Sequence, residues 1–307
     1  MKPIVYLSGG VGGTRLAHGL ARALHEDQLT LIINTGDDFA HWGLSISPDL
    51  DTVMYSLADL ADVARGWGLA HDTFETLASV VRLGGEGWFQ LGDRDLGTHL
   101  VRSARLRDGR TLTEVTSELC CALGVRQRLL PMSDDPYQTM IETDDGCLMF
   151  QHWLVRQRGL PTVRRVWFSG EARASDAVLR ALEQAQFAII GPSNPYVSID
   201  PILSLPGVRE RLADLRVIAV SPIVHGRAIK GPLAGMLHTL ANAPASAASI
   251  ALHYGSLLSA LVVERGDEAA VSELPVLGTD TVMHAREASL RLARAVLGFA
   301  QELGFGS

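Results

Sequence analysis

The chain has little from which to build a covalent scaffold, with three cysteines in 307 residues: Cys120, Cys121 and Cys147. They form neither an even framework nor a C-x-x-C pair. A disulfide-stapled secreted domain is excluded, and reduced thiols in a cytoplasmic protein are expected. Positive charge is also short. Lys and Arg number 27 against 34 Asp and Glu, a net charge of −7. Duplex nucleic acid is therefore a poor partner, because no basic excess is available to release counterions. No long apolar run is present either. The uncharged stretch from Gly231 to Val263 is interrupted by Asn242, Pro244, Gly255 and two histidines. It reads as two buried helices, since a bilayer span needs ~20 strongly apolar residues in a row. Met1-Lys2-Pro3 leads straight into a strand-like segment, so no signal peptide is expected. H-E-x-x-H, a cysteine zinc pattern and a legible Ser-His-Asp arrangement are all missing, which disfavours hydrolytic chemistry of those kinds.

What remains is an ordinary globular composition, 47% hydrophobic and 20% charged, sufficient for one large or two modest domains. Ile4–Leu7 is a short apolar run ending at a glycine cluster. Leu16, Leu20 and Leu24 then recur at helical spacing, and Leu29–Ile33 is a second continuous apolar run. Strand, glycine turn, helix and strand open a βαβ unit, and strands apolar on both faces imply a parallel sheet. Arg164–Phe168, Phe187–Ile190 and Arg216–Val220 resume the strand pattern, with a helix over Ser175–Gln186 between the first two. Other helices are expected over Val53–Ala64, Leu112–Leu123 and Thr281–Leu303. A hairpin over Tyr137–Leu154 should turn at Asp144-Asp145-Gly146. The fold class is therefore α/β: a Rossmann-like parallel sheet with helices on both faces and a mixed insertion or lid in mid-chain. The core is expected from 1–60 and 163–307, the insertion from 61–162.

Candidate chemistry sits at strand ends, where open parallel sheets bind ligands. Ser8-Gly9-Gly10-Val11-Gly12-Gly13-Thr14-Arg15 joins the first strand to the first helix. Its glycines allow backbone N–H groups to converge on an anion beside a helix N-terminus. Arg15 stands where a dinucleotide fingerprint needs glycine, and no Gly-Lys-Ser/Thr closes a Walker motif. Thr14 has a plainer reading as a helix cap. Asn34-Thr35-Gly36-Asp37-Asp38 ends the second strand, and Ser47-Pro48-Asp49-Leu50-Asp51-Thr52 precedes a helix that Asp51 could merely cap. Two acidic sites near phosphate-type loops suit Mg²⁺, which takes one or two carboxylates plus substrate phosphates. Arg94, within Leu91-Gly92-Asp93-Arg94-Asp95-Leu96, has the planar donor set for a carboxylate, phosphate or ring. Ser193 and Asn194 follow a strand end, and Lys230 resembles a point-charge phosphate clamp.

Taken in order, these motifs, together with Met132-Ser133-Asp134-Asp135, Ser221-Pro222-Ile223, Lys230-Gly231-Pro232, Tyr254–Leu258 and Thr281–Met283, resemble the 2-phospho-L-lactate transferase (CofD) family of coenzyme F-420 biosynthesis. The resemblance covers nearly the whole chain. It implies a Mg²⁺-assisted cytoplasmic transferase that moves a phospho-lactyl, phosphoenolpyruvyl or phosphoglyceryl group from a guanosine-diphospho donor to the ribityl hydroxyl of the deazaflavin FO, releasing GMP. It further implies that Asp51 and Arg94 contact the deazaflavin, with help from the insertion. Gly10, Gly12, Gly13 and Thr14 would cradle the diphosphate, Ser193 and Asn194 would hold the guanosine, and Asp37 or Asp38 would bind Mg²⁺. Asp51 and, from its chemistry, Lys230 are the expected catalytic groups. A homodimer is expected by default. The rival reading is a non-catalytic nucleotide-sugar-binding regulator of the gluconeogenesis-factor type. Its relatives follow the glycine loop with Asp-Asp-Gly-Gly-Ser, where this chain has Asp37-Asp38-Phe39-Ala40-His41.

Overall fold

The computed structural model describes residues 3–229 and 231–305. In chain order, Ile4–Ser8 (β1) leads into Gly10–Ala23 (α1) and back to Leu29–Ile33 (β2). The small hairpin Phe39–His41 (β3) and Leu44–Ile46 (β4) precedes Pro48–Leu57 (α2), and then Glu75–Arg82 (α3), Asp95–Arg107 (α4) and Leu112–Ala122 (α5). Arg128–Pro131 (β5) is followed by Gln138–Thr143 (β6), Gly146–Met149 (β7) and Val163–Ser169 (β8). The second half runs Asp176–Gln184 (α6), Ala188–Ile190 (β9), Asp200–Leu203 (α7), Val208–Ala213 (α8) and Val217–Val220 (β10). It continues through the two-residue strands Ile223–Val224 (β11) and Arg227–Ala228 (β12), then Leu233–Ala241 (α9) and Ala247–Tyr254 (α10). Ala260–Glu264 (β13), Val276–Thr279 (β14) and Arg286–Glu302 (α11) complete it.

Seven strands form one wholly parallel sheet in the order β14-β13-β10-β9-β1-β2-β5. The chain walks outward from β1 through β2 to β5, then crosses back to lay β9 on the other side of β1. Strand order thus reverses between β1 and β9, and the crevice beyond their carboxyl ends is where such sheets take ligands. Period-2 alternation sorts the side chains into two cores. Val5 and Leu7 pack against α6, α8, α9 and α10 through Val178, Leu212, Leu237 and Ile250. Ile4 and Tyr6 pack against α1, α2, α5 and α11 through Leu16, Val53, Val115 and Leu292. Burial on both faces explains why these strands are continuously apolar rather than alternating.

Three expectations are corrected. Arg164–Phe168 is a strand, but β8 pairs antiparallel with β6 in a separate sheet of order β7-β6-β8. Its burial is uneven, with Arg164 and Arg165 exposed. The uncharged stretch gives two helices, α9 and α10, and then β13 as well. The Ser47–Thr52 motif does not precede its helix. It forms the first turn of α2, with Ser47 at the N-cap and Pro48 at the first position, where proline's missing N–H costs nothing. Asp51 is therefore inside the helix and does not cap it. β5 belongs to the parallel sheet and β8 to the antiparallel one. The expected hairpin is present as β6 and β7 around Asp144-Asp145. Among the described residues, no helix is long and apolar enough to cross a membrane.

Candidate active site

One cavity of about 920 Å³ opens at the carboxyl ends of β1, β2 and β9. Its wall combines the start of α1, the Gly191–Asn194 turn, the first turn of α2, part of α4 and the segments around Trp88 and Phe150. The topology accounts for this gathering. β1 and β9 are hydrogen-bonded neighbours, so the loops leaving them must meet.

That meeting is tight. The Ser193 hydroxyl donates to the Gly9 carbonyl at 2.8 Å. A Cβ on Gly12 would stand 2.5 Å from the Pro192 carbonyl oxygen, and one on Gly13 would stand 2.5 Å from both Ser8 Oγ and Ser193 Oγ. The two glycines thus let α1 press against the turn after β9. Gly9, Gly10, Val11 and Gly12 line the cavity, but Gly13 and Thr14 do not. Gly13 is buried and its carbonyl accepts from the Tyr6 hydroxyl at 2.7 Å. The Thr14 hydroxyl donates back to the Gly10 carbonyl at 2.9 Å inside α1, whose cap is Gly9. Of the expected diphosphate cradle, then, Gly10 and Gly12 face the cavity, while Gly13 and Thr14 hold the helix in place.

Asp37 and Asp49 both face the cavity and share one donor. Asn34 Nδ2 reaches Asp49 Oδ2 at 3.0 Å and Asp37 Oδ1 at 3.3 Å. Gln151 donates to Asp37 at 2.6 Å, and the Gly10 N–H donates to Asp49 at 2.7 Å. Burial pushes the Asp37 carboxyl well above the usual range, and the neighbouring Asp49 and Asp38 add to the rise. Burial likewise pushes Asp49 up to about 6. Asp38 is placed differently: one oxygen accepts from Ser47 Oγ at 2.6 Å, the other is buried without a partner, and neither belongs to the cavity wall. Two buried carboxyl groups that face one cavity, with no cationic partner of their own among the described residues, fit a hard divalent ion whose remaining ligands come from substrate and water. Among the described residues, no cluster of three or more His, Cys, Asp or Glu could hold a metal by itself.

Asp51 is fixed by a residue the sequence reading did not single out. Arg102 on α4 grips both oxygens of Asp51, and both side chains are almost fully buried. Against the cost of burial, that carboxylate keeps the guanidinium charged. His99 lies 3.7 Å from Asp51 and 3.3 Å from Asp95, and Asp95 accepts from the Tyr55 hydroxyl at 2.6 Å. Asp51, Tyr55, Asp95 and His99 all reach the cavity. A signal for this cluster was present: Asp95, His99 and Arg102 recur at i, i+4 and i+7, one stripe of a helix. The stripe is buried, while Leu100 and Val101 beside it are 55% and 46% exposed. Helix α4 therefore turns Asp95, His99 and Arg102 inward, while Arg105 and Arg107 near its end stay exposed.

Arg94 does not reach the cavity. It is exposed, and its guanidinium donates to the Ala70 carbonyl at 3.0 Å. Ser193 and Asn194 do line it, with Asn194 capping the next turn by accepting from the Tyr196 N–H. Lys230 lies outside the described residues. Trp88 and Phe89, also unnoticed in the sequence, bring aromatic surface to the wall and pack on Phe39 and His41.

Comparison with known proteins adds to this geometry. The family profile described as "2-phospho-L-lactate transferase CofD" matches residues 4–289. A 2-phospho-L-lactate transferase of Methanosarcina mazei is 42% identical over 301 residues, covering 96% of this chain and 99% of its own. A phosphoenolpyruvate transferase of Streptomyces griseus is 38% identical, covering 98% of this chain and 99% of its own. Among solved structures, a UPF0052-family protein of Bacillus halodurans superposes with a TM-score of 0.68 at 18% identity, covering 97% of this chain and 100% of that one. That last likeness speaks to the fold alone.

Proposed function

Because this chain belongs to the 2-phospho-L-lactate transferase CofD family, we propose that it transfers a phosphate carrying a three-carbon acid from a guanosine-diphospho donor to the ribityl hydroxyl of the deazaflavin FO. GMP leaves, and the product belongs to coenzyme F-420 biosynthesis. The acid is lactyl, enolpyruvyl or glyceryl, and relatives named for both lactate and phosphoenolpyruvate transfer support keeping that range. The observation carrying the proposal is the convergence, on one cavity, of a helix N-terminus, a paired carboxylate site and a clamped Asp51.

Each part has a task in phosphoryl transfer, where alignment and charge neutralisation dominate. The backbone around Gly10 and Gly12, at the positive end of α1, receives the diphosphate. Ser193 and Asn194 border the guanosine. Asp37, with Asp49 in preference to Asp38, would hold Mg²⁺, which neutralises charge on the transferring phosphate when bound. Asp51 orients the attacking hydroxyl. A carboxylate has about four acceptor sites, so the grip of Arg102 leaves room for one more hydrogen bond. Trp88 and Phe89 offer a stacking surface for the deazaflavin ring. Lys230 is retained as the proposed clamp on the leaving phosphate, and Arg94 as a deazaflavin contact would need the loop at Asp93–Asp95 to move. A homodimer in the cytoplasm completes the proposal.

The test is a coupled assay of purified protein, Mg²⁺, FO and each guanosine-diphospho acid, with product and GMP followed by chromatography and mass. Product from one donor, lost in Asp51→Ala and without Mg²⁺, is expected. Tight guanine-nucleotide binding with no product from any donor would sink the transferase reading and favour the non-catalytic regulator.

A further inference from the structure

Among the described residues, four arginines contribute to the cavity wall, and three already have acceptors. Arg15 donates to the Met283 carbonyl, Arg65 is paired with Asp62 at 3.3 Å, and Arg156 with Glu86 at 3.1 Å. The fourth, Arg158, makes no side-chain hydrogen bond or ion pair with any described residue. Its backbone is also unusual. Arg158 adopts φ +57°, the left-handed region that L-residues other than glycine avoid. Such conformations persist only where surrounding structure imposes them, and they cluster at ligand clamps.

The surroundings here do impose it. The turn is closed by hydrogen bonds from the Gly159 N–H to the Trp153 carbonyl and from the Leu160 N–H to the Gln157 carbonyl. Trp153 is 1% exposed, packed among Ile141, Val197 and Met236, and its indole N–H is tied to the Pro161 carbonyl at 2.8 Å. A free guanidinium is therefore presented from a strained but anchored turn, on a cavity whose other described arginines already have acceptors.

We propose that Arg158 recognises the carboxylate of the three-carbon acid carried by the donor. The assignment rests on the transferase reading above, whose donor brings a carboxylate in addition to its phosphates. The diphosphate is provided for by the N-terminus of α1 and by the Mg²⁺ that Asp37 and Asp49 would hold, which leaves the carboxylate as the donor anion without a partner. A guanidinium fits a carboxylate through two parallel N–H···O bonds, so the site selects acids over neutral analogues.

The experiment compares binding of two probes, GDP and lactyl-diphospho-guanosine, by calorimetry, with steady-state KM for the second. The proteins are wild type, Arg158→Lys and Arg158→Gly. Glycine adopts the left-handed turn without strain, so this variant should melt at or above the wild-type temperature. Donor affinity is expected to fall roughly tenfold or more in Arg158→Gly, as for loss of a charge-assisted hydrogen bond, with partial recovery in Arg158→Lys. GDP affinity should stay within about twofold, since GDP carries no carboxylate. Equal losses for both probes would reassign Arg158 to phosphate and overturn the proposal, as would unchanged donor binding. A wild-type protein that binds neither probe and makes no product overturns the transferase reading itself, and this assignment with it.

Discussion

At the scale of single residues, the site is a problem in charge. Asp37 and Asp49 are buried side by side with one shared amide donor, and both titrate high. A carboxyl raised to about 6 in the folded protein, from ~3.9 unfolded, binds more protons folded than unfolded over that interval. Its contribution to stability is complete below pH ~4 and is lost as pH rises through about 6. The metal-free protein should accordingly show a falling unfolding free energy across this window in urea titrations. A flat profile would show that the pair is not protonated when folded. Asp51 poses the opposite case, a buried carboxylate matched by Arg102. Arg102→Met should cost about 3–5 kcal/mol by denaturant unfolding, because it strands Asp51 uncompensated. Arg102→Lys should cost less but still lower kcat, since a single ammonium cannot hold both oxygens.

At the scale of elements, α1 and the turn after β9 act as one piece. Gly12→Ala drives a Cβ against the Pro192 carbonyl, which belongs to backbone and cannot rotate aside. It should weaken GDP binding at least tenfold in calorimetry, with stability falling by about 1–3 kcal/mol as in other overpacked sites. Helix α4 makes a second point, because Leu100 and Val101 are exposed while Asp95, His99 and Arg102 are buried. Leu100→Ser and Val101→Ser should change stability by no more than about 0.5 kcal/mol, the usual range for surface substitutions. A helix built with its apolar face inward would lose several times that. Thermal melts of the two variants decide between these descriptions.

At the scale of the molecule, the cavity draws its wall from both ends of the chain and from the middle, so ligand binding should stabilise the whole. GDP at a hundred times its Kd, with Mg²⁺, should add about 2.7 kcal/mol to the unfolding free energy. Chelation should remove most of that gain if Asp37 and Asp49 hold the ion. Equal protection with and without chelator would leave the carboxylate pair without its proposed role.

The parallel sheet was legible because β1, β2, β9 and β10 are buried on both faces and so are written as unbroken apolar runs. The Gly-rich turn, the Asp37 and Asp51 motifs and the Ser193-Asn194 turn were legible because glycine, proline and acidic clusters mark strand ends. β5 and β14 were missed, since Arg128–Pro131 and Val276–Thr279 are edge strands of four residues with little pattern of their own, and β13 was missed because its apolar run continues the uncharged stretch read as helix. β8 read as a strand, but nothing local distinguishes one sheet from another. The partners of the site residues belong to the tertiary structure alone. Asp51 meets Arg102 across 51 positions of chain, and Gly9 meets Ser193 across 184. Local sequence encodes a residue's own backbone preferences and its periodic face. Which charges neutralise one another, and which arginine is left over, is fixed only when the crossover from β5 back to β9 closes the crevice.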